Sequence, residues 1–163
     1  MIPGGIIMKI DWKKLLVCLA IPLAVGGLAA LITGGGMQDY GSMNKPPLSP
    51  PGWVFPVVWT VLYLLMGYAS YRVYTSGGDR EQVRKALILY GAQLAANFLW
   101  PLIFFGLQWY LVAFVLLVAL WVLIYVTMRA FSVIDERAGD LLLPYILWVT
   151  FAAYLNLGVF LLN

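Results

Sequence analysis

Aromatic rings and side-chain amides recur at helical spacing in three stretches of this chain. In "YGAQLAANFLWPLIFFG", Gln93, Asn97 and Trp100 stand at i, i+4 and i+7, and Phe104 continues the same face. In "PYILWVTFAAYLN", Trp148, Ala152 and Asn156 are four residues apart, which sets a large ring, a gap and an amide in a row. Trp59, Tyr63 and Met66 make a similar stripe. Such faces can serve as ordinary interhelical packing and hydrogen-bonding glue. Three of them enclosing one space can instead hold a flat, mostly apolar ligand with a few polar groups.

Other chemistries are excluded by what the chain lacks. It has no histidine, which removes histidine-based zinc sites, histidine general bases and histidine haem ligation together. Its one cysteine, Cys18, permits no intramolecular disulfide and reads as a small buried hydrophobe. No Asp, Glu, Lys or Arg falls well inside the apolar runs; Arg72 and Arg129 lie near run ends, where they can snorkel. Ion-coupled pumps need intramembrane ionisable groups, and hydrolases need an acid/base pair. Neither is expected here, and no cofactor or metal is expected.

The elements that must position these faces follow from composition. Of 163 residues 63% are hydrophobic and 10% charged, with mean hydropathy +0.91, whereas soluble domains carry about 25% charged residues. The ten basic residues are scattered and form no stripe, so no nucleic-acid partner is expected. The fold class is an all-α membrane protein, a bundle of five transmembrane helices in one domain over 1–163. The spans are 15–33, 53–75, 86–106, 109–131 and 141–162, with a lid loop at 34–52. The runs are apolar on every face, unlike the alternating strands of a β-barrel. Trp53, Trp109 and Tyr110 sit at span ends, where an interfacial aromatic belt is expected.

Lys13 and Lys14 precede the first run, but that run exceeds the core of a signal peptide, so we expect a retained helix. Met8 is a second candidate start. Lys9, Lys13, Lys14, Arg72, Arg80, Arg84, Lys85, Arg129 and Arg137 share one side, against Lys45 on the other. The positive-inside rule then predicts a cytoplasmic amino terminus, with the lid loop and carboxyl terminus outside. Gly26/Ala30, Gly91/Ala95 and Ala92/Ala96 have the small-xxx-small spacing of close helix contacts, within the bundle or between protomers.

The lid loop ends in "NKPPLSPPGWVFPVVW", with five prolines in eleven positions. Consecutive prolines favour a stiff extended path, and Pro56 falls in the first turn of the second span, where its missing donor costs little. A stiff strap loses little entropy on closing over a pocket.

The stretches "KPPLSPPGWVFPVVWTVLYLLMGYASY", "GAQLAANFLWPLIFFG" and "PYILWVTFAAYLN" together resemble the translocator protein family, also called the tryptophan-rich sensory protein or peripheral benzodiazepine receptor family. The likeness covers roughly residues 12–160 and is to a bacterial member, which implies the cell membrane. It implies a five-helix bundle, commonly dimeric, whose cavity opens toward the loop between helices 1 and 2. Family members bind porphyrins such as protoporphyrin IX, and isoquinoline carboxamide and benzodiazepine ligands; animal members also bind cholesterol. By this resemblance Trp59 and Trp148 match cavity tryptophans, and Ala152 the small residue a turn beyond. Asn97, Trp100 and Phe104 match the cavity face of the third helix, with Tyr63 on the neighbouring stripe. In the lid, Pro50 and Pro51 match a Pro-Pro pair and Tyr40 the tyrosine of a Trp-Tyr pair. Lys45, beside Pro46, is a candidate partner for porphyrin carboxylates.

The chain departs from the pattern in three places. Asp39 and Leu48 stand where the family has tryptophan, so the lid has two fewer rings to stack on a porphyrin. Leu157 stands at the tyrosine of the animal sterol motif, with no base after it, which argues against cholesterol. Three functions follow as expectations. The first is a receptor or translocator that senses or transports tetrapyrroles. The second is light- and oxygen-dependent porphyrin degradation using Trp59 and Trp148, and the third a regulatory or assembly subunit. Porphyrin, membrane lipid and a second copy of the chain are the expected partners.

Overall fold

The computed structural model describes residues 9–34 and 40–163; Met8 and Asp39 lie outside the described residues. Five helices are long and apolar enough to cross a membrane. Helix α1 spans Trp12–Ile32, and the Asp11 carboxylate caps its first turn by accepting from the Lys14 amide at 3.2 Å. Helix α2 spans Val54–Tyr74 and begins on the last residues of the proline strap. Helix α3, Arg80–Pro101, starts earlier than hydropathy alone delimits, because Asp79 accepts from the Gln82 amide at 3.1 Å and Glu81 occupies the first turn.

Pro101 cannot donate to the α3 ladder, and the chain continues as a wider π turn over Leu102–Leu107. Gln108, in the left-handed region at φ 56°, ends that turn. Helix α4 then runs Tyr110–Ile134, and a one-turn helix, Glu136–Asp140, leads into α5, Leu143–Leu162. Helix α1 packs on α2, α3 on α4 and α4 on α5, while the cavity-lining edges of α2 and α5 meet only lightly.

Burial is arranged for a lipid solvent. Met66, Val73, Leu117, Ile124, Phe131, Tyr145 and Val149 form the sealed core. Val115, Val122, Leu147 and Leu161 stand exposed on the outside, where acyl chains accept them without cost. The chain is therefore a multi-pass, all-α membrane protein.

Two contacts set the helix spacing. At Gly67 a side chain would meet α1 backbone, 2.7 Å from the Cys18 carbonyl oxygen and 2.9 Å from the Leu19 Cα. Pro22 has no N–H to give that same carbonyl four residues back, so α2 closes on a place where the α1 ladder is already interrupted. At the basic end, Arg72 does not reach out free as snorkelling would have it. Its Nε and Nη2 donate to the two Asp135 oxygens at 2.8 and 3.3 Å, and both side chains are about four-fifths covered. Asp135 also caps the short helix through the Arg137 amide at 3.1 Å.

Asp135→Asn should therefore cost roughly 1.5–3 kcal/mol, the range for hydrogen bonds to charged groups, read as a lower melting temperature in detergent. Lys85→Gln breaks only an exposed pair at 4.0 Å and should melt like the parent. Equal melting of both variants would refute the assignment.

Candidate ligand cavity

Between α1, α2, α3, the π turn and α5 lies a cavity of about 390 Å³, roofed by the strap. One wall carries Trp59 and Tyr63, whose ring centroids are 5.6 Å apart; Tyr145 stands edge-on to Trp59 at 6.1 Å. Another part of the wall is Trp100 stacked on Phe104 at 5.0 Å. The π turn matters here: it turns both Phe104 and Phe105 inward, with centroids 4.8 Å apart. On α1 the wall is made by shortage of side chain, since the Tyr63 ring occupies the space beside Gly26.

The asparagines in these walls are spent on tyrosine hydroxyls, an indole N–H and a backbone carbonyl. Tyr63 donates to Asn97 Oδ1 at 2.9 Å, Asn97 Nδ2 donates to the Tyr145 hydroxyl at 2.7 Å, and Tyr145 donates to Gln93 Oε1 at 2.6 Å. A second link runs from Trp100 Nε1 to Asn156 Oδ1 at 2.9 Å, and from Asn156 Nδ2 to the Tyr110 carbonyl at 2.8 Å. Buried amides in an apolar medium must find partners. These pairings tie α2, α3, α4 and α5 at cavity depth and hold the rings in place. Gln93 Nε2 and Trp148 Nε1 remain buried with no protein partner.

The roof is pinned by hydroxyl groups. Tyr40 donates to the Pro50 carbonyl at 2.6 Å, Ser49 to the Pro46 carbonyl at 2.7 Å, and Tyr154 of α5 to the Pro47 carbonyl at 2.7 Å. Burial pushes the Tyr40 hydroxyl above its ordinary value, partly offset by Ser49, so it stays a donor at neutral pH. Lys45 Nζ donates to the Tyr40 carbonyl at 3.0 Å and lies 4.7 Å from the Tyr40 ring centroid. Pro46 is seated over Gly158, where any side chain on α5 would collide with its ring.

The structure brings Trp59, Tyr63, Asn97 and Trp100 together on the cavity wall, with Phe104, Ala152 and Tyr40 completing it. Pro50 takes part through its carbonyl, Pro51 is exposed at the start of α2, and Pro46 and Lys45 belong to the roof. Trp148 does not line the cavity. It stands behind Phe55, centroids 5.8 Å apart, and Phe55 in turn meets Tyr40 at 5.0 Å. Leu48 is 84% exposed at φ 71° and points out of the roof, so its lack of a ring takes none from the closed cavity. Sequence reasoning missed Phe55, the α1 wall and the role of Tyr145. Phe55 alone left a signal, as a ring in the first turn of α2 four residues before Trp59.

Five spanning helices, an internal aromatic-walled cavity and a proline-rich roof define a multi-pass membrane protein with an enclosed, mostly apolar space. The chain belongs to the TspO/MBR family, whose model matches residues 18–162. It is 39% identical to the tryptophan-rich protein TspO of Chlorobaculum tepidum, covering 91% of this chain and 95% of the relative. It is likewise 39% identical to the tryptophan-rich sensory protein of Cereibacter sphaeroides, covering 96% and 95% of the two chains. The translocator protein of Ovis aries is 40% identical over 77% of this chain and 75% of its own.

Proposed function

We propose that this protein is a membrane receptor for protoporphyrin IX or a similarly flat, mostly apolar tetrapyrrole, bound in the cavity beneath the strap. The observation that carries the reading is the cavity itself: lined by the rings of Trp59, Tyr63, Trp100 and Phe104, with Asn97 and Asn156 already paired and no charged side chain in the lining. Its 390 Å³ lies toward the small end of the ~300–1,000 Å³ usual for ligand pockets. A macrocycle therefore moves Phe55 aside and gains the Trp148 ring and its unpartnered N–H. The carboxylates of the ligand stay at the mouth, where Lys45 exchanges the Tyr40 carbonyl for them. The names of two relatives, tryptophan-rich sensory protein and translocator protein, accord with sensing or carriage of the ligand.

The setting that goes with this reading is a bacterial cell membrane, with the amino terminus cytoplasmic and the strap outside. A homodimer fits the exposed Gly91 and Ala95 of α3, where open space beside Gly91 admits a second helix. Leu157 and the missing base still argue against cholesterol.

Titration of the purified protein with protoporphyrin IX tests the reading. We expect saturable quenching of tryptophan fluorescence at micromolar concentrations, with affinity about tenfold weaker in Trp59→Leu from the lost stacking. Fluorescence that stays unquenched in the parent protein would sink it.

A further inference from the structure

A second concavity, about 660 Å³, opens at the opposite end of the bundle from the strap. Lys14 of α1, Tyr74 at the end of α2, and Arg80 and Arg84 on the first turns of α3 line it, and Leu87 and Ile88 continue it toward the hydrocarbon. The charges in it are out of balance. Lys14, Arg72 and Lys85 each have an acidic partner in Asp11, Asp135 and Glu81. Among the described residues, Arg80 and Arg84 have none. They stand four apart on one helix face, an arrangement in which like charges repel. They also occupy the amino-terminal turns of α3, where the helix dipole disfavours cations.

An anion between Lys14 and the two arginines relieves both costs. The cleft walls say what kind of anion. Arginine forks suit phosphate oxygens, and Tyr74, 54% exposed, lines the cleft beside them at the end of α2. Directly below, Ile88 is 59% exposed on the lipid-facing side of α3, so an acyl chain can follow the headgroup without leaving the groove.

We propose that this cleft is a binding site for an anionic phospholipid, with the headgroup phosphate held by Arg80, Arg84 and Lys14 and an acyl chain laid along Leu87 and Ile88. Basic pockets between transmembrane helices hold anionic headgroups by the same physics. The inference rests on the membrane setting alone and stands apart from the porphyrin reading.

The test is native mass spectrometry of the full chain released from nanodiscs of phosphatidylcholine doped with phosphatidylglycerol. Two arginines beside an anionic headgroup correspond to an enrichment of roughly 30-fold. The parent protein is expected to retain phosphatidylglycerol above its bulk fraction by that order. Arg80→Gln/Arg84→Gln is expected to lose most of that enrichment, keeping only the small preference that Lys14 supplies. Lys85→Gln, which removes one positive charge from the same helix outside the cleft, is expected to keep the enrichment. Retention at the bulk ratio by the parent, persistence of the enrichment in the double variant, or an equal loss in Lys85→Gln would each overturn the proposal.

Discussion

Ala152→Phe is expected to abolish porphyrin quenching while the protein remains folded. Ala152 is buried on α5, lines the cavity one turn beyond Trp148, and is the small member of the α5 face. A phenyl ring there projects into space that the closed structure leaves empty, so the new ring fills a void and does not overpack a sealed core. Apparent affinity for protoporphyrin IX should drop by a factor of ~30 or more, the equivalent of about 2 kcal/mol. The melting temperature should stay within a few degrees of the parent, because the Tyr63–Asn97–Tyr145 and Trp100–Asn156 links are untouched. Leu48→Trp is the natural control: its side chain points away from the closed cavity, and affinity should not change. If the Ala152→Phe protein binds as tightly as the parent, the ligand does not sit against α5.

The largest expected effect on stability is that of a branched side chain at Gly67. Atoms that a Cβ would meet there belong to the α1 backbone and have no rotamer to escape into. Gly67→Ala should cost ~1–3 kcal/mol, as overpacking of close-packed interiors does, and Gly67→Val more, because its branch widens the collision. Helix α1 must then shift away from α2, carrying the Gly26 wall of the cavity with it. Two readouts follow. Thermal unfolding in detergent should occur at a lower temperature, and the chain's one cysteine, Cys18, should react faster with an apolar maleimide. Unchanged melting and unchanged labelling would mean that the two helices do not touch at Gly67.

The fold was legible because lipid leaves a chain so few choices. A run of about 20 apolar residues has to be a helix if it spans, and five such runs with breakers between them read directly as a bundle. The α2 and α3 cavity faces were legible for a related reason. Gln93 and Asn97 have no business in hydrocarbon unless partnered, and their spacing put them beside Trp100. The α1 wall was not legible, since Gly26 and Ala30 contribute by being small, which looks the same as helix contact. Nor was the π turn after Pro101: proline announces a lost hydrogen bond, but whether the helix kinks, stops or widens depends on what packs against it. Trp148 shows the limit of face arithmetic. Its spacing to Ala152 is correct for a shared face, yet Phe55, in the first turn of α2, stands between the ring and the cavity, a contact between two helices that the period of one cannot reveal.

Arg72 carries a similar lesson. Its position near a span end allows either a free side chain in the headgroup zone or a partner, and only the tertiary fold brings Asp135, 63 residues away, into reach.

The most direct measurement is a structure of the protein with protoporphyrin IX bound. It should find the macrocycle between Trp59 and Trp100 beneath the strap, with Phe55 displaced, Trp148 in contact and the carboxylates at Lys45. A macrocycle lying on the lipid-facing surface of the bundle, with Phe55 still between Tyr40 and Trp148, would contradict it.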